Sequence, residues 1–340
     1  GGGLVQEIGH GTLLIIDRIL GRESLVGAWI ENLFRHSTNS RLRVLIIDRD
    51  NVSQDHICHG AESPALLSEQ SFSPFPLTLA PLAREELLTF IRFCNTPDGF
   101  SEKEVDDIYN QLASIDPELK RPLYAMFLAE VRKRSPNVRP KTEWELLQLI
   151  LDIEFSRCRS YLKSQFYAPR EVENRMAAYL RIKLAACLAG YLSSDRFADS
   201  FSEDWNLLTP KEFGTSLLHD LEGEEASVAP LLPDLLANFF VVQSWRQTPD
   251  SFQTLLSYNW ELNCLNCARR LSYCALDFPV VMAQVRLLDL PLALESTSQK
   301  NAYAVLMINC SKGRDIETLK TVSGKLAMLC AESREPALVY

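Results

Sequence analysis

The sequence predicts a predominantly α-helical protein that opens with a small α/β segment, and three observations carry this expectation. Two continuous runs of branched and aliphatic residues, Thr12–Asp17 and Arg43–Ile47, lie on either side of a segment with helical spacing. From about residue 81 onward, apolar residues recur at three- and four-residue intervals in stretch after stretch. Short Pro-, Gly- and Asp-rich breaks separate those stretches at the spacing of helix boundaries.

Thr12-Leu13-Leu14-Ile15-Ile16-Asp17 has no polar alternation and ends in an acid, the pattern of a strand buried on both faces of a parallel sheet. A helix follows, with Leu25, Trp29, Leu33 and Phe34 on one face. The run through Ile46 and Ile47 repeats the strand pattern and continues into Asp48-Arg49-Asp50. Two apolar strands joined by one helix make a right-handed crossover with the strands parallel. Asn51 to Pro76 is rich in Ser, Pro and His and longer than an ordinary connection, as a functional loop would be. Pro76–Leu79 is expected as a third short strand, and Pro81 as the opening of a helix carrying Arg84–Leu88.

Further helices are expected over Val105–Ile115, Leu123–Lys133, Glu143–Leu162, Arg170–Ala189, Leu231–Trp245 and Cys264–Ala275. Breaks fall at Asp116-Pro117, Ser135-Pro136, Thr209-Pro210, Ala229-Pro230 and Thr248-Pro249-Asp250. The last 90 or so residues read as several helices of similar size without a recognisable repeat.

Composition narrows the function classes. A chain of 340 residues is too long for one ordinary core. Its net charge of −9 argues against a general nucleic-acid or anionic-membrane binder, because both need clustered positive charge. No stretch approaches the roughly 18 uninterrupted apolar residues of a membrane helix, and no leader pattern opens the chain, so a cytoplasmic location is expected. Gly1-Gly2-Gly3 reads as a cut end. Nine cysteines, an odd number scattered through apolar segments, read as buried free thiols of a reducing compartment.

The order of the motifs, with Arg121-Pro122-Leu123 following the strand and helix elements, resembles the STAND class of signal-transducing NTPases, relatives of the NACHT and NB-ARC switches. The resemblance covers roughly residues 10–245, and the order of the motifs is what carries it. It implies ATP or ADP with Mg²⁺ as ligand. In that family the first strand ends in the Walker B aspartate, the place Asp17 would take beside Mg²⁺. The next strand ends in an arginine that senses the terminal phosphate, the place of Arg49. Arg121-Pro122-Leu123-Tyr124-Ala125 resembles the Gly-x-Pro element that opens the helical lid, which implies that Pro122 contacts adenine. Trp144, Leu147 and Leu151 resemble the helix after the lid. Leu231–Val241, with its Pro-Asp-Leu and Phe-Phe-Val pattern, looks like the end of the winged-helix domain.

The chain departs from that pattern in four places. It contains no Gly-x-x-x-x-Gly-Lys-[Ser/Thr] loop to grip phosphate. Arg18 follows Asp17 where a second acid would activate water, Lys120 stands at the glycine of the lid motif, and Asn238 stands where an acid is common. A truncated P-loop NTPase-like sheet is therefore expected over 1–95, a helical lid over 96–165, a winged-helix-like domain over 166–245 and a C-terminal helical array over 246–340. Loss of the outer strands would leave an exposed sheet edge and a protein partner or self-association to cover it. The resemblance implies the regulatory part of a bacterial switch that does not hydrolyse ATP by itself. The alternative is a nucleotide-free helical scaffold for protein partners.

Other constellations carry less. His56-Ile57-Cys58-His59 crowds three ligand-type residues into four positions without a second pair, which rarely closes a tetrahedron. Cys264-Leu265-Asn266-Cys267 lies on an expected helix without a βαβ context, so core thiols are the favoured reading. The basic run Arg132-Lys133-Arg134, with Arg139 and Lys141, follows a helix C-terminus and reads as a solvated linker. Asp220–Glu225 reads as a solvated acidic loop, and Trp245, Tyr258 and Trp260 as inter-helix packing.

Overall fold

The computed structural model describes residues 4–8, 11–17, 23–36, 42–47, 82–94, 99–118, 121–164, 168–190, 192–193, 201–208, 227–228, 230–284, 290, 292–311 and 316–332. The chain divides into two compact units, Gly1–Leu79 and Ala80–Tyr340. Among the described residues it is predominantly α-helical.

The first unit contains β1 (Leu4–Ile8), β2 (Gly11–Asp17), α1 (Glu23–His36) and β3 (Leu42–Ile47). The strands form one sheet in the order β1-β2-β3. β2 and β3 pair in parallel from Thr12 opposite Leu42 to Asp17 opposite Ile47. β1 pairs antiparallel with β2, and Ile8 stands opposite Gly11, so two residues join them. Leu14, central in β2, is buried. α1 differs from expectation in the face it buries. Trp29 is 45% exposed, whereas Ile30 and Glu31 are each 3% exposed. The buried stripe is thus turned by about one residue, or 100° of helix. The Glu31 carboxylate accepts from Arg35 one turn on at 2.5 Å. The expected strand Pro76–Leu79 and the segment 51–76 lie outside the described residues.

The second unit opens with α2 (Arg84–Phe93), α3 (Glu102–Ile115), α4 (Pro122–Arg134), α5 (Glu143–Ser164) and α6 (Pro169–Ala189). It continues with β4 (Leu192–Ser193), α7 (Ser202–Leu208), β5 (Ser227–Val228), α8 (Asp234–Gln247) and α9 (Pro249–Asp277). α10 (Pro279–Gln284), α11 (Thr297–Ser311) and α12 (Ile316–Glu332) follow. β4 and β5 form a two-rung antiparallel pair, Leu192 opposite Val228 and Ser193 opposite Ser227.

Local chemistry sets the helix starts. Pro122, Pro169 and Pro249 occupy the first turns of α4, α6 and α9, where a missing N–H leaves no helical bond unmade. α3 opens with a reciprocal cap: Ser101 N–H donates to Glu104 Oε2 at 3.0 Å, and Glu104 N–H donates to Ser101 Oγ at 3.4 Å. Ser296 and Gln299 repeat this at α11. At α5, Thr142 Oγ1 accepts from Glu145 N–H at 3.2 Å.

The core of this unit runs through residues on both sides of 165 and 245. Leu128, Leu147, Leu188, Phe239, Trp260 and Met307 belong to one buried cluster. α8 is buried continuously from Asp234 to Gln243, so its sequence is apolar nearly all round. α9 bends at Asn263, whose φ of −156° and ψ of 71° are not helical. The second half starts at Cys264 with Asn263 as its cap, Oδ1 accepting from Asn266 N–H at 3.3 Å. Both amides also donate to the Ala189 carbonyl at the end of α6, Asn263 at 3.1 Å and Asn266 at 2.9 Å. The bend therefore caps a neighbouring helix.

Candidate functional site

Asp17 is the last residue of β2 and stands opposite Ile47. Arg49 lies outside the described residues, as do Arg18, Lys120, the His56–His59 cluster and Asp220–Glu225. Asp17 belongs to the first unit and Pro122 to the second.

Pro122 is partly exposed at the start of α4, behind the cap residue Arg121. The surroundings are a polar cluster built from three helix ends. Asp116 closes α3, where its N–H reaches the Leu112 carbonyl at 2.8 Å. Its carboxylate Oδ2 accepts from the Arg121 N–H at 2.8 Å and from Arg121 Nε at 2.9 Å. The side chain of Asp116 is 7% exposed, so this paired bond is well shielded from water. The guanidinium of Arg121 lies over the Tyr124 ring, 4.1 Å from its centre. Its Nη2 stands 3.6 Å from Glu143 Oε1, the atom to which the buried Tyr124 hydroxyl donates. Burial raises the Glu143 carboxyl; Arg121 pulls it down, and the Asp116 and Asp277 carboxylates add to the rise.

Trp144 is the next residue along α5. Its ring meets Phe239 of α8 edge-on at 4.7 Å and Phe278, just past α9, at 6.2 Å. Arg246 of α8 lies over it at 4.8 Å. Asn238, in α8 and fully buried, sits in a second polar group. Its Nδ2 donates to Asp277 Oδ2 at 2.6 Å, and its Oδ1 accepts from Arg270 Nη1 at 2.7 Å. Arg270 also donates through Nε to the Cys187 carbonyl at 2.7 Å and stands 3.6 Å from Asp234. At this position the amide serves as donor and acceptor at once, which an ionised acid could not do.

Asp116, Tyr124 and Glu143 were not singled out from sequence. The Thr142-x-x-Glu145 cap signature places Glu143 at a helix start and was the available signal. The partners of Asn238 lie 32 and 39 residues away, with no local sequence pattern to mark them.

Of the basic run, Lys133, Arg134, Arg139 and Lys141 are exposed as expected, and Arg132 alone is tied into the fold. Arg132 is 6% exposed, a departure from the solvated linker expected there. It stands 3.8 Å from Asp107, reaches Gln111 at 3.5 Å, and donates to the Pro136 carbonyl at 3.4 Å, so α3 and the α4 end share its charge. Trp260 is fully buried with Nε1 donating to the Ala293 carbonyl at 2.8 Å, Trp245 stacks on Phe252 at 4.8 Å, and Tyr258 meets Phe201 at 5.3 Å. Cys94, Cys158, Cys187, Cys264, Cys267, Cys274 and Cys310 are buried free thiols. Burial pushes Cys158 up to about 12 and raises Cys267 and Cys274 as well.

Among the described residues no group of His, Cys, Asp and Glu could hold a metal ion, and no helix is long and apolar enough to cross a membrane. Compared with protein-family models, curated proteins and solved structures, the chain finds no match.

Proposed function

We propose that this chain is the regulatory part of a STAND-type ATP/ADP-dependent switch that does not hydrolyse ATP by itself. The observation that supports this reading is Pro122 at the first turn of α4, partly exposed and adjacent to Arg121, whose guanidinium bonds Asp116 and stands 3.6 Å from Glu143. A rigid proline at an accessible helix start is a surface on which an adenine ring can pack. On this reading Asp17 and Arg49 would serve Mg²⁺ and the terminal phosphate. Residues 1–95 would be a truncated P-loop NTPase-like core, 96–165 the lid, 166–245 the winged-helix-like domain, and 246–340 an array that meets protein partners in the cytoplasm.

Thermal unfolding with and without Mg²⁺ and ATP or ADP tests it. A ligand at ten times its Kd adds about 1.4 kcal/mol to the native state. For a unit of this size that is about 2–3 °C in Tm. The reading requires such a rise, and its loss in Pro122→Ala or Arg49→Ala. No rise with either nucleotide at millimolar concentration rejects it.

A second reading, a nucleotide-free scaffold for protein partners, is favoured by exposed apolar side chains of the second unit. Phe93, Leu232, Val280 and Met328 are 65%, 70%, 76% and 65% exposed. It requires the same scan to be flat for both nucleotides.

A further inference from the structure

α9 runs for 29 residues and breaks at Asn263, with neither proline nor glycine at the break. Sharp helix breaks have such a residue, or a side chain that takes over the backbone bonds. Here that side chain is Asn263 itself. Its Oδ1 accepts from Asn266 N–H at 3.3 Å, and its Nδ2 donates to the Ala189 carbonyl at 3.1 Å, beside Asn266 Nδ2 at 2.9 Å. The bend is thus written in side-chain bonds. One turn earlier stands Asn259, with no solvent exposure. Its Nδ2 donates to the Leu255 carbonyl at 2.7 Å, but its Oδ1 is buried with no hydrogen-bond partner among the described residues. A buried acceptor left unmet disfavours the arrangement that contains it. Asn259 and Asn263 are four residues apart, so in a continuous helix they share one face, and the later side chain leans back over the earlier one. Straightening α9 therefore takes Asn263 Nδ2 away from Ala189 and sets it against the unmet Asn259 Oδ1.

We propose that α9 is a two-state hinge, in which the Asn263 amide bonds either the Ala189 carbonyl with the helix bent or Asn259 Oδ1 with the helix straight. The bent state gives α6 a second amide donor and forgoes the Asn259 bond and the backbone bonds across residue 263. The straight state does the reverse, so neither arrangement satisfies every group. The two halves of α9 are held by different neighbours. In the first half, Tyr258 and Leu262 pack against the cluster that holds Ile182 of α6 and Leu208 of α7. The second half is tied to α11, through Cys264 Sγ and Ser298 Oγ at 3.5 Å and through Asn309 Nδ2 and Ser272 Oγ at 3.4 Å. The hinge thus sets the α6–α7 pair against α11, and whatever binds one setting better shifts the helix toward it. It stands on the bonds of α9 alone and does not depend on the nucleotide reading.

The test is double electron–electron resonance on the full chain, with spin labels carried on p-acetylphenylalanine at the exposed positions of Ser251, in the first half of α9, and Ile308, in α11. Labels of this kind leave the cysteines untouched. The proposal requires two distances in the parent chain, the bent one dominant. In Asn263→Ala, which removes both the cap and the bond to Ala189, the population must shift to the second distance. In Asn259→Leu, which keeps the shape of the side chain and removes the alternative acceptor, the second distance must be lost. A single distance in the parent chain, the bent distance persisting in Asn263→Ala, or a second distance surviving in Asn259→Leu each overturns it. Asn259→Leu leaves every bond of the bend in place, so it remains a folded test even if Asn263→Ala does not fold. Nucleotide binding can fail while the two distances stand, and the reverse, so the two results are separable.

Discussion

Asn238 Nδ2 donates to Asp277 Oδ2 at 2.6 Å from a position with no solvent exposure. The other end of the same amide accepts from Arg270 at 2.7 Å, so one neutral, fully buried side chain separates a partly buried anion from a partly buried cation. Direct contact between such ions is not needed when a dipole of the right orientation lies between them.

Replacing Asn238 by Ala removes two bonds to charged groups and leaves a cavity. The expected cost is about 3 kcal/mol, read as a lowered urea midpoint with an unchanged m-value. Asn238→Asp sets a carboxylate against Asp277. That variant should be less stable at pH 7 than at pH 5, because at pH 5 the coupled pair can share a proton.

Gly190 follows the last residue of α6 with φ +84° and ψ −147°, a region essentially confined to glycine. A Cβ there would lie 2.8 Å from Asn266 Nδ2, the donor that caps the Ala189 carbonyl. Gly190→Ala therefore combines backbone strain with loss of a cap, and should cost about 2–3 kcal/mol. A Cβ added at Gly324, inside α12, would meet nothing within 4 Å. Gly324→Ala should stabilise by about 0.5–1 kcal/mol. Chemical denaturation of the two variants side by side checks both signs.

Helix boundaries were legible wherever the stop or start is written in a few adjacent residues. The expected helix over 143–162 is observed over Glu143–Ser164, and that over 170–189 over Pro169–Ala189, because proline and cap residues act locally. The expected start at Leu231 moves to Asp234, since Pro233 sits outside the first turn. The start at Cys264 marks only the second half of α9. The first half, from Pro249, carries polar residues such as Gln253, Asn259 and Glu261 that weaken the apolar period, although Phe252, Leu256 and Trp260 are buried. β1 went unread because its five residues lie among glycines. The site was less legible than the fold. Arg121 and Asp116 are near in sequence, but the joining of Glu143 to Arg121 and Tyr124 depends on how α5 packs, and no local pattern encodes that.

The cap at Ser101 predicts a pH dependence of stability with a definite sign. Bonds from the Ser101 hydroxyl and N–H hold the Glu104 carboxyl below its usual value. A lowered acid contributes stability above its unfolded value near 4.5, and that contribution is lost as pH falls toward the folded one. Ser101→Ala should lower stability by about 1 kcal/mol at pH 7. The difference from the parent chain should shrink on acidification below pH 4.5. Urea midpoints across pH 3.5 to 7 decide it; a difference constant with pH would remove Glu104 from the explanation.

Thiol chemistry offers the sharpest check on the helical core. At pH 8 an ordinary cysteine is about one-quarter thiolate, whereas a thiol held near 12, as Cys158 is, is about one ten-thousandth. Cys267 and Cys274 are raised further by complete burial, and the rise at Cys94 and Cys187 has the same leading cause. Since the thiolate is the reactive form, Cys158 should resist iodoacetamide in the native protein by about a thousandfold beyond steric shielding, and the other raised thiols should resist it in the same direction. Peptide mass spectrometry after native labelling should find the seven described cysteines unmodified, and labelling in urea should find all of them modified. Labelling should then track global unfolding, since the thiols sit on α2, α5, α6, α9 and α11, which open together if the second unit is one cooperative core. Cys94 reacting well before Cys274 would instead separate α2 from α9 as units of independent stability.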